Sequence, residues 1–323
     1  MKHINQRVIS KILMTAMSVL LLGIIAGCTS GLAEPFDMSN LFYEYDTVSG
    51  SDGDYIVITK HLVSQSDVKI PDTIYDIPVR EIADSTFAGD SKIQSVTFGK
   101  NMRRVGSNAF GSCPALKSVT FNVSMSDIGE YAFRDCVLLQ SVPIPANLNS
   151  IGRGAFFGCV SLDELTVPET MAHIGGRAFY GTAWMKAQSE TKYVIVGDGI
   201  LIAYNGDKME LTIPKTVKQI AGAFAGNTAI ESVKVGGGVT AIGDMSFMGC
   251  SSLKSVSIAS SVTEIGSNAF YGCLSLERIV LGDNIQSIGA DAFANCSAAI
   301  YVRQGSYAES YCKENGLDYF VMK

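Results

Sequence analysis

The side chains best suited to chemistry in this chain are eight cysteines and three histidines. Thiolates and imidazoles bind zinc, thiolates attack carbonyls, and paired thiols form disulfides, so spacing decides which of these is open. Six of the cysteines fall into two sets, Cys113, Cys136 and Cys159, then Cys250, Cys273 and Cys296, with 23 residues between successive members. None forms the C-x-x-C knuckle of a zinc site. His3, His61 and His173 have no cysteine, aspartate or second histidine at the spacing of a ligand set or a catalytic base. Asp52 and Asp54 lack the other ligand positions of an EF-hand loop and read as a solvated turn. The glycines at 197, 199 and 236–238 lack the strand–loop–helix setting of a phosphate loop, and neither G-x-S-x-G nor H-E-x-x-H occurs. No catalytic residue, metal site or cofactor is indicated.

The cysteine interval belongs to a larger pattern. Phe87, Phe110, Phe133, Phe156 and Phe179 are each 23 residues apart, as are Phe224, Phe247, Phe270 and Phe293. A fixed period of this size marks a solenoid, in which each repeat covers the open apolar face of its neighbour. The frame is L-x-x-V-x-[ILF], an aliphatic residue four positions on, I-G, and then F-x-x-C. The clearest copy has Leu253, Val256, Ile258, Val262, Ile265-Gly266, Ala269-Phe270 and Cys273. The first six positions alternate apolar and polar residues, which is the period of a half-buried strand. The glycine after the isoleucine is expected at a sharp turn. The phenylalanines are expected to stack as a continuous buried column. The cysteine position holds Asp90, Thr182 and Asn227 in other rungs, so it favours a small, partly buried group. Equivalent side chains of adjacent rungs also point the same way, which is poor disulfide geometry. A ladder of free thiols is the favoured reading.

One region breaks the pattern. The step from Phe179 to Phe224 is one residue short of two periods, and the deficit falls between Ile220 and Phe224. The intervening segment, about 182–210, reads as a degenerate rung or a protruding hairpin. Asn205-Gly206 between apolar runs is its turn signal. It is either a partner contact or a spacer that bends the solenoid.

Both ends differ from the repeats. Lys2, Arg7 and Lys11 precede an apolar run, Ile12–Ile25, which is short for a membrane span and has the order of a secretory signal. Ile25-Ala26-Gly27-Cys28 resembles a bacterial lipobox. That resemblance implies cleavage before Cys28 and its acylation, and Thr29 does not argue for inner-membrane retention. The expected divisions are a signal peptide at 1–27, a tether at 28–50, the solenoid at 51–305 and a cap at 306–323. In the cap, Ser306 starts a short helix that ends at Gly316. Removing 1–27 takes three basic and no acidic residues, so 25 Lys+Arg against 31 Asp+Glu become 22 against 31, a charge of −9. An acidic surface without basic clusters argues against nucleic acid and against electrostatic binding to anionic lipid.

L-x-x-V-x-[IL], V-x-x-I-G-x-x-A-F-x-x-C at this period resembles the BspA-like leucine-rich repeats of bacterial surface proteins over roughly residues 68–300. The resemblance implies an α/β, β-rich, curved right-handed leucine-rich repeat solenoid of about ten rungs. It also implies an N-terminal β cap, a C-terminal helical cap and a place on the bacterial cell surface or outer membrane. Some relatives are adhesins for host extracellular-matrix proteins or other bacteria. The expected function is therefore a non-enzymatic, lipid-anchored, monomeric binding module for a protein or glycan ligand. The alternative is an inward-facing envelope scaffold or wall-polymer-binding protein. The expected contact residues are the outward side chains of the strands: Ser118, Thr120, Glu164, Thr166, Ser232, Lys234, Ser255, Ser257 and Arg278.

Overall fold

The computed structural model describes residues 42–322. The expected signal peptide at 1–27, Cys28 and most of the expected tether lie outside the described residues.

Each rung supplies two short strands, and both follow from its apolar pattern. The L-x-x-V segments stack in parallel as a five-stranded sheet from Asp67–Lys69 to Glu164–Leu165. A six-stranded sheet then runs from Glu210–Thr212 to Tyr319–Met322. The residues before each I-G form a second pair of sheets, parallel along the repeats, each begun by an antiparallel strand pair. Register follows the repeat interval: Val96 pairs with Val119, and Val105 with Ile128. The strand valines and isoleucines are buried between the walls, while the residues that alternate with them face out.

The phenylalanines stack face to face. From Phe87 to Phe179 successive rings lie 4.6–5.8 Å apart and within 9° of parallel. From Phe224 to Phe293 they lie 5.1–5.4 Å apart. Two columns therefore replace the single one expected, and each is closed at both ends by a different aromatic ring. His61 sits 4.7 Å from Phe87, and Trp184 closes on Phe179 at 5.6 Å. Tyr204 lies 5.5 Å from Phe224, and Tyr311 lies 6.4 Å from Phe293. The buried residues divide into two clusters at the same place.

The repeat glycine is needed for a different reason from the one expected. Gly106, Gly129, Gly152 and Gly266 have no positive φ. Instead, neighbouring rungs approach so closely that a Cβ on Gly129 would lie 2.6 Å from the carbonyl carbon of Gly106. The left-handed turn comes two residues later, at Asn108, Asn268 and Asp291, with φ of 54–55°. Asparagine and aspartate tolerate that region better than most residues.

The thiols form a ladder across rungs. Cys136 Sγ donates to the Phe110 carbonyl at 3.2 Å, and Cys250 Sγ to the Phe224 carbonyl at 3.0 Å. Burial pushes the Cys159 and Cys250 thiols up to about 12, which suppresses the nucleophilic thiolate. Thr182, at the same position, donates to the Phe179 carbonyl and caps the Ala183–Ala187 helix. The position is buried in the rungs of Cys113, Cys136, Cys159, Thr182, Cys250 and Cys273 and half-buried at Asp90, Asn227 and Cys296.

The irregular segment corrects the reading of its turn. The hairpin joins Tyr193–Val196 to Ile200–Tyr204 through Gly197-Asp198-Gly199, not through Asn205-Gly206. Asn205 instead donates its side-chain amide to the Gln188 and Thr191 carbonyls and pins a loop. The hairpin does not protrude: Ile200, Leu201 and Ile202 are buried, and Leu201 pairs with Ile220. The missing residue lies between Ile220 and the left-handed Gly222. The rungs on either side close in until Gly176 packs on the Asp244 carbonyl.

The N-terminal cap begins earlier than expected. Tyr43–Gly50, assigned from sequence to the tether, forms a strand antiparallel to Gly53–His61. Charged residues at Glu44 and Asp46 obscured its alternation. Asp52, in the turn, binds Arg80 at 2.5 Å and Arg103 at 2.8 Å, and these hydrogen bonds hold its carboxyl below the usual range. The C-terminal helix, Tyr307–Glu314, starts at Ser306 as expected, with Glu309 accepting from the Gly305 N–H at 2.6 Å. The chain then adds a last parallel strand, Tyr319–Met322.

Candidate functional site

The outward residues of the valine strands are set by strand alternation, so rows of them align across rungs. Ser118 and Thr120 are exposed beside Ser95 and Thr97 in the first sheet. Glu164 and Thr166 line a groove of about 850 Å³ at that sheet's end, with Trp184 and Pro143. Ser232, Lys234, Ser255, Ser257 and Arg278 converge on a second groove of about 820 Å³, over the other sheet. The nine residues named from sequence thus divide: two lie on open sheet, two in one groove and five in the other.

Sequence reasoning missed several groove residues. Lys192, Tyr193 and Lys208 enter the second groove from the irregular rung, and Trp184 enters the first from the helix beside it. The only signal was their position within the break. The Arg278 guanidinium lies over the Tyr301 ring, 4.2 Å from its centroid, which holds the charge in place without neutralising it. His173 is exposed on the isoleucine wall, away from both grooves.

One polar cluster was also invisible in the sequence. His61 Nδ1 lies 3.5 Å from Asp90, and the Ser64 hydroxyl donates to the same carboxylate at 2.7 Å. Asp90 stands at the repeat cysteine position, but the first rung has no preceding phenylalanine carbonyl to receive a thiol. Its carboxylate instead holds the cap histidine. Nε2 of His61 is buried without a partner, and the carboxylate fixes the ring against Phe87. Burial lowers the His61 pKa below its ordinary value, with Asp90 opposing. The unfolded state therefore takes up this proton first as pH falls, and the histidine's contribution, complete above about pH 6.5, diminishes below it. Acidification from pH 7 to 5 is expected to lower the denaturation midpoint in wild type. His61→Phe, which keeps a ring on Phe87, is expected to flatten that dependence. An equal slope in both proteins would remove His61 as its source.

Among the described residues, no group of three or more His, Cys, Asp or Glu side chains is placed to hold a metal ion. No helix among them is long and apolar enough to cross a membrane.

Comparison with known proteins agrees with the repeat geometry. No curated protein matches the sequence significantly. Among solved structures, a leucine-rich repeat protein of T. pallidum is similar at 24% identity and TM-score 0.44, over 73% of this chain and 88% of that one. A leucine-rich repeat protein from Bacteroides ovatus is similar at 21% identity and TM-score 0.40, over 91% and 100%. A leucine rich cell surface protein from Faecalibacterium prausnitzii is similar at 25% identity and TM-score 0.37, over 88% and 97%. The family described as BspA type Leucine rich repeat region matches residues 61–186 and 204–303, in six copies. The chain belongs to the BspA-type leucine-rich repeat family.

Proposed function

We propose that this protein is an exported, lipid-anchored binding module that holds another macromolecule against its valine-strand face and catalyses no reaction itself. The observation that carries this reading is the pair of open grooves on that face, lined by outward strand residues in register. A repeated, rigid, polar surface suits recognition of an extended partner. Family membership and the lipobox-like Ile25-Ala26-Gly27-Cys28 support placement in the cell envelope. Outward display, and with it adhesion, is the favoured orientation.

Trypsin shaving of intact cells tests the orientation. Lys186, Lys192 and Lys208 are exposed in the irregular rung and offer cleavage sites. Their peptides are expected in the supernatant of intact cells while a periplasmic control stays protected. Peptides that appear only after lysis would replace this reading with the inward-facing scaffold or wall-polymer binder. Cys28→Ser is expected to abolish acylation and move the protein from the membrane to the soluble fraction, since stable anchoring depends on the acyl chains. Retention at the membrane with no acyl group would refute the lipid anchor.

A further inference from the structure

We propose that the groove on the second valine sheet is a binding site for a polyanionic glycan, a polysaccharide bearing carboxylate or sulfate groups. This deepens the binding-module reading above and rests on it.

The first argument is charge. Four cations line this groove: Lys192, Lys208, Lys234 and Arg278. Glu210 is the one carboxylate lining it, so the local balance is four minus one, or +3, on a chain whose formal charge is −6. Eleven of the described lysines and arginines have a carboxylate within 4.0 Å, but none of these four does. Two are held instead against aromatic rings, Lys192 over Tyr193 at 5.6 Å and Arg278 over Tyr301 at 4.2 Å. Eleven of the seventeen described cations elsewhere are paired but none of the four here, and the clustering of these four raises the local potential toward anions.

The second argument is geometry. The strands that carry Lys234 and Arg278 are interior members of a parallel ladder. Ser232–Lys234 pairs with Glu210–Thr212 on one side and with Ser255–Ser257 on the other. Glu210–Thr212 is the edge strand of this sheet and borders the groove, but the strands beneath Lys234 and Arg278 are paired on both sides and cannot accept an added strand. Over those interior strands recognition comes from side chains. Between the cations these are serine and threonine hydroxyls, Thr212, Ser232, Ser255 and Ser257, which exchange hydrogen bonds with sugar hydroxyls. Lys234 and Arg278 belong to strands two rungs apart, about 10 Å along the axis at the usual strand spacing. That interval suits acidic groups repeating once per disaccharide. The first groove, with Asp163, Glu164 and Trp184 and no cation, offers no such match.

The test uses the full chain in detergent on surfaces carrying dextran sulfate, hyaluronan, poly-glutamate or neutral dextran. Binding to dextran sulfate or hyaluronan is expected, weakening as salt rises, with none to neutral dextran. Sulfate-only and carboxylate-only polymers distinguish the two acidic groups. Lys234→Glu with Arg278→Glu is expected to reduce affinity by about tenfold or more. Lys117→Glu, which reverses an exposed cation outside both grooves, should leave affinity unchanged, and circular dichroism should confirm that both proteins are folded. Equal binding to poly-glutamate would overturn the glycan in favour of an acidic polypeptide. Binding that survives the double charge reversal would overturn the site. Absence of binding to any polyanion, with surface shaving still positive, would overturn the glycan proposal alone and leave the binding-module reading standing.

Discussion

Phe270→Ala will cost about 3–5 kcal/mol of stability, the range for deleting a buried phenylalanine. Phe270 has no exposed surface and is stacked between Phe247 at 5.3 Å and Phe293 at 5.4 Å. The ring cannot be replaced by relaxation, because its neighbours are held by backbone bonds between rungs, such as Phe247 N–H to the Ala269 carbonyl at 2.8 Å. The cavity therefore persists and adds to the lost transfer energy. The loss should be local. The two buried clusters meet at the irregular rung, so amide exchange should accelerate in Ser232–Lys234 and Ser255–Ser257 while Ser118–Thr120 stays protected. An unchanged denaturation midpoint would contradict the stacked column. Uniform loss of protection across both halves would contradict the division into two units.

Gly129→Ala will destabilise by about 2–3 kcal/mol through overpacking. Its φ is not positive, so backbone preference alone would make alanine stabilising, by about 0.4–1 kcal/mol. The sign is reversed by the neighbouring rung, whose Ser107 nitrogen would lie 2.7 Å from the new Cβ. Backbone cannot rotate away as a side chain can. Gly282→Ala supplies the contrast: a Cβ there meets nothing within 4 Å, and alanine should be neutral or slightly stabilising. Equal effects at the two positions, read from chemical denaturation, would show that inter-rung approach is not what selects glycine.

The parts legible in the sequence are those repeated many times. The interval between phenylalanines became strand register, and the alternation in Ser255-Val256-Ser257 became one buried and two exposed side chains. The repeat glycine was identified as special, but a sequence read one rung at a time cannot show contact between rungs, and a turn was the natural inference. Asn205-Gly206 misled because a strong local turn preference was overridden by the buried strand Ile200–Tyr204, which continues to Tyr204 and uses Gly197 and Gly199 to reverse. The His61–Asp90–Ser64 cluster and the four-cation groove join residues from different rungs. Their proximity depends on stacking, and Lys192 and Lys208 reach the groove only because the irregular rung sits beside it.

The ring that closes each aromatic column also makes the molecule a ruler with two independently adjustable segments. A whole rung inserted within either column preserves its neighbours on both sides and leaves Trp184 and Tyr204 in place at the junction. Each such unit would lengthen its segment by about 4.8 Å, the spacing of neighbouring strands. Gain or loss of 23-residue units can therefore change how far each end stands from the junction in fixed increments, and units placed outside the stretches 141–184 and 192–280 leave the lining of both grooves intact. An insertion between Thr182 and Tyr204 has no such freedom, because it would separate the two rings from the columns they close.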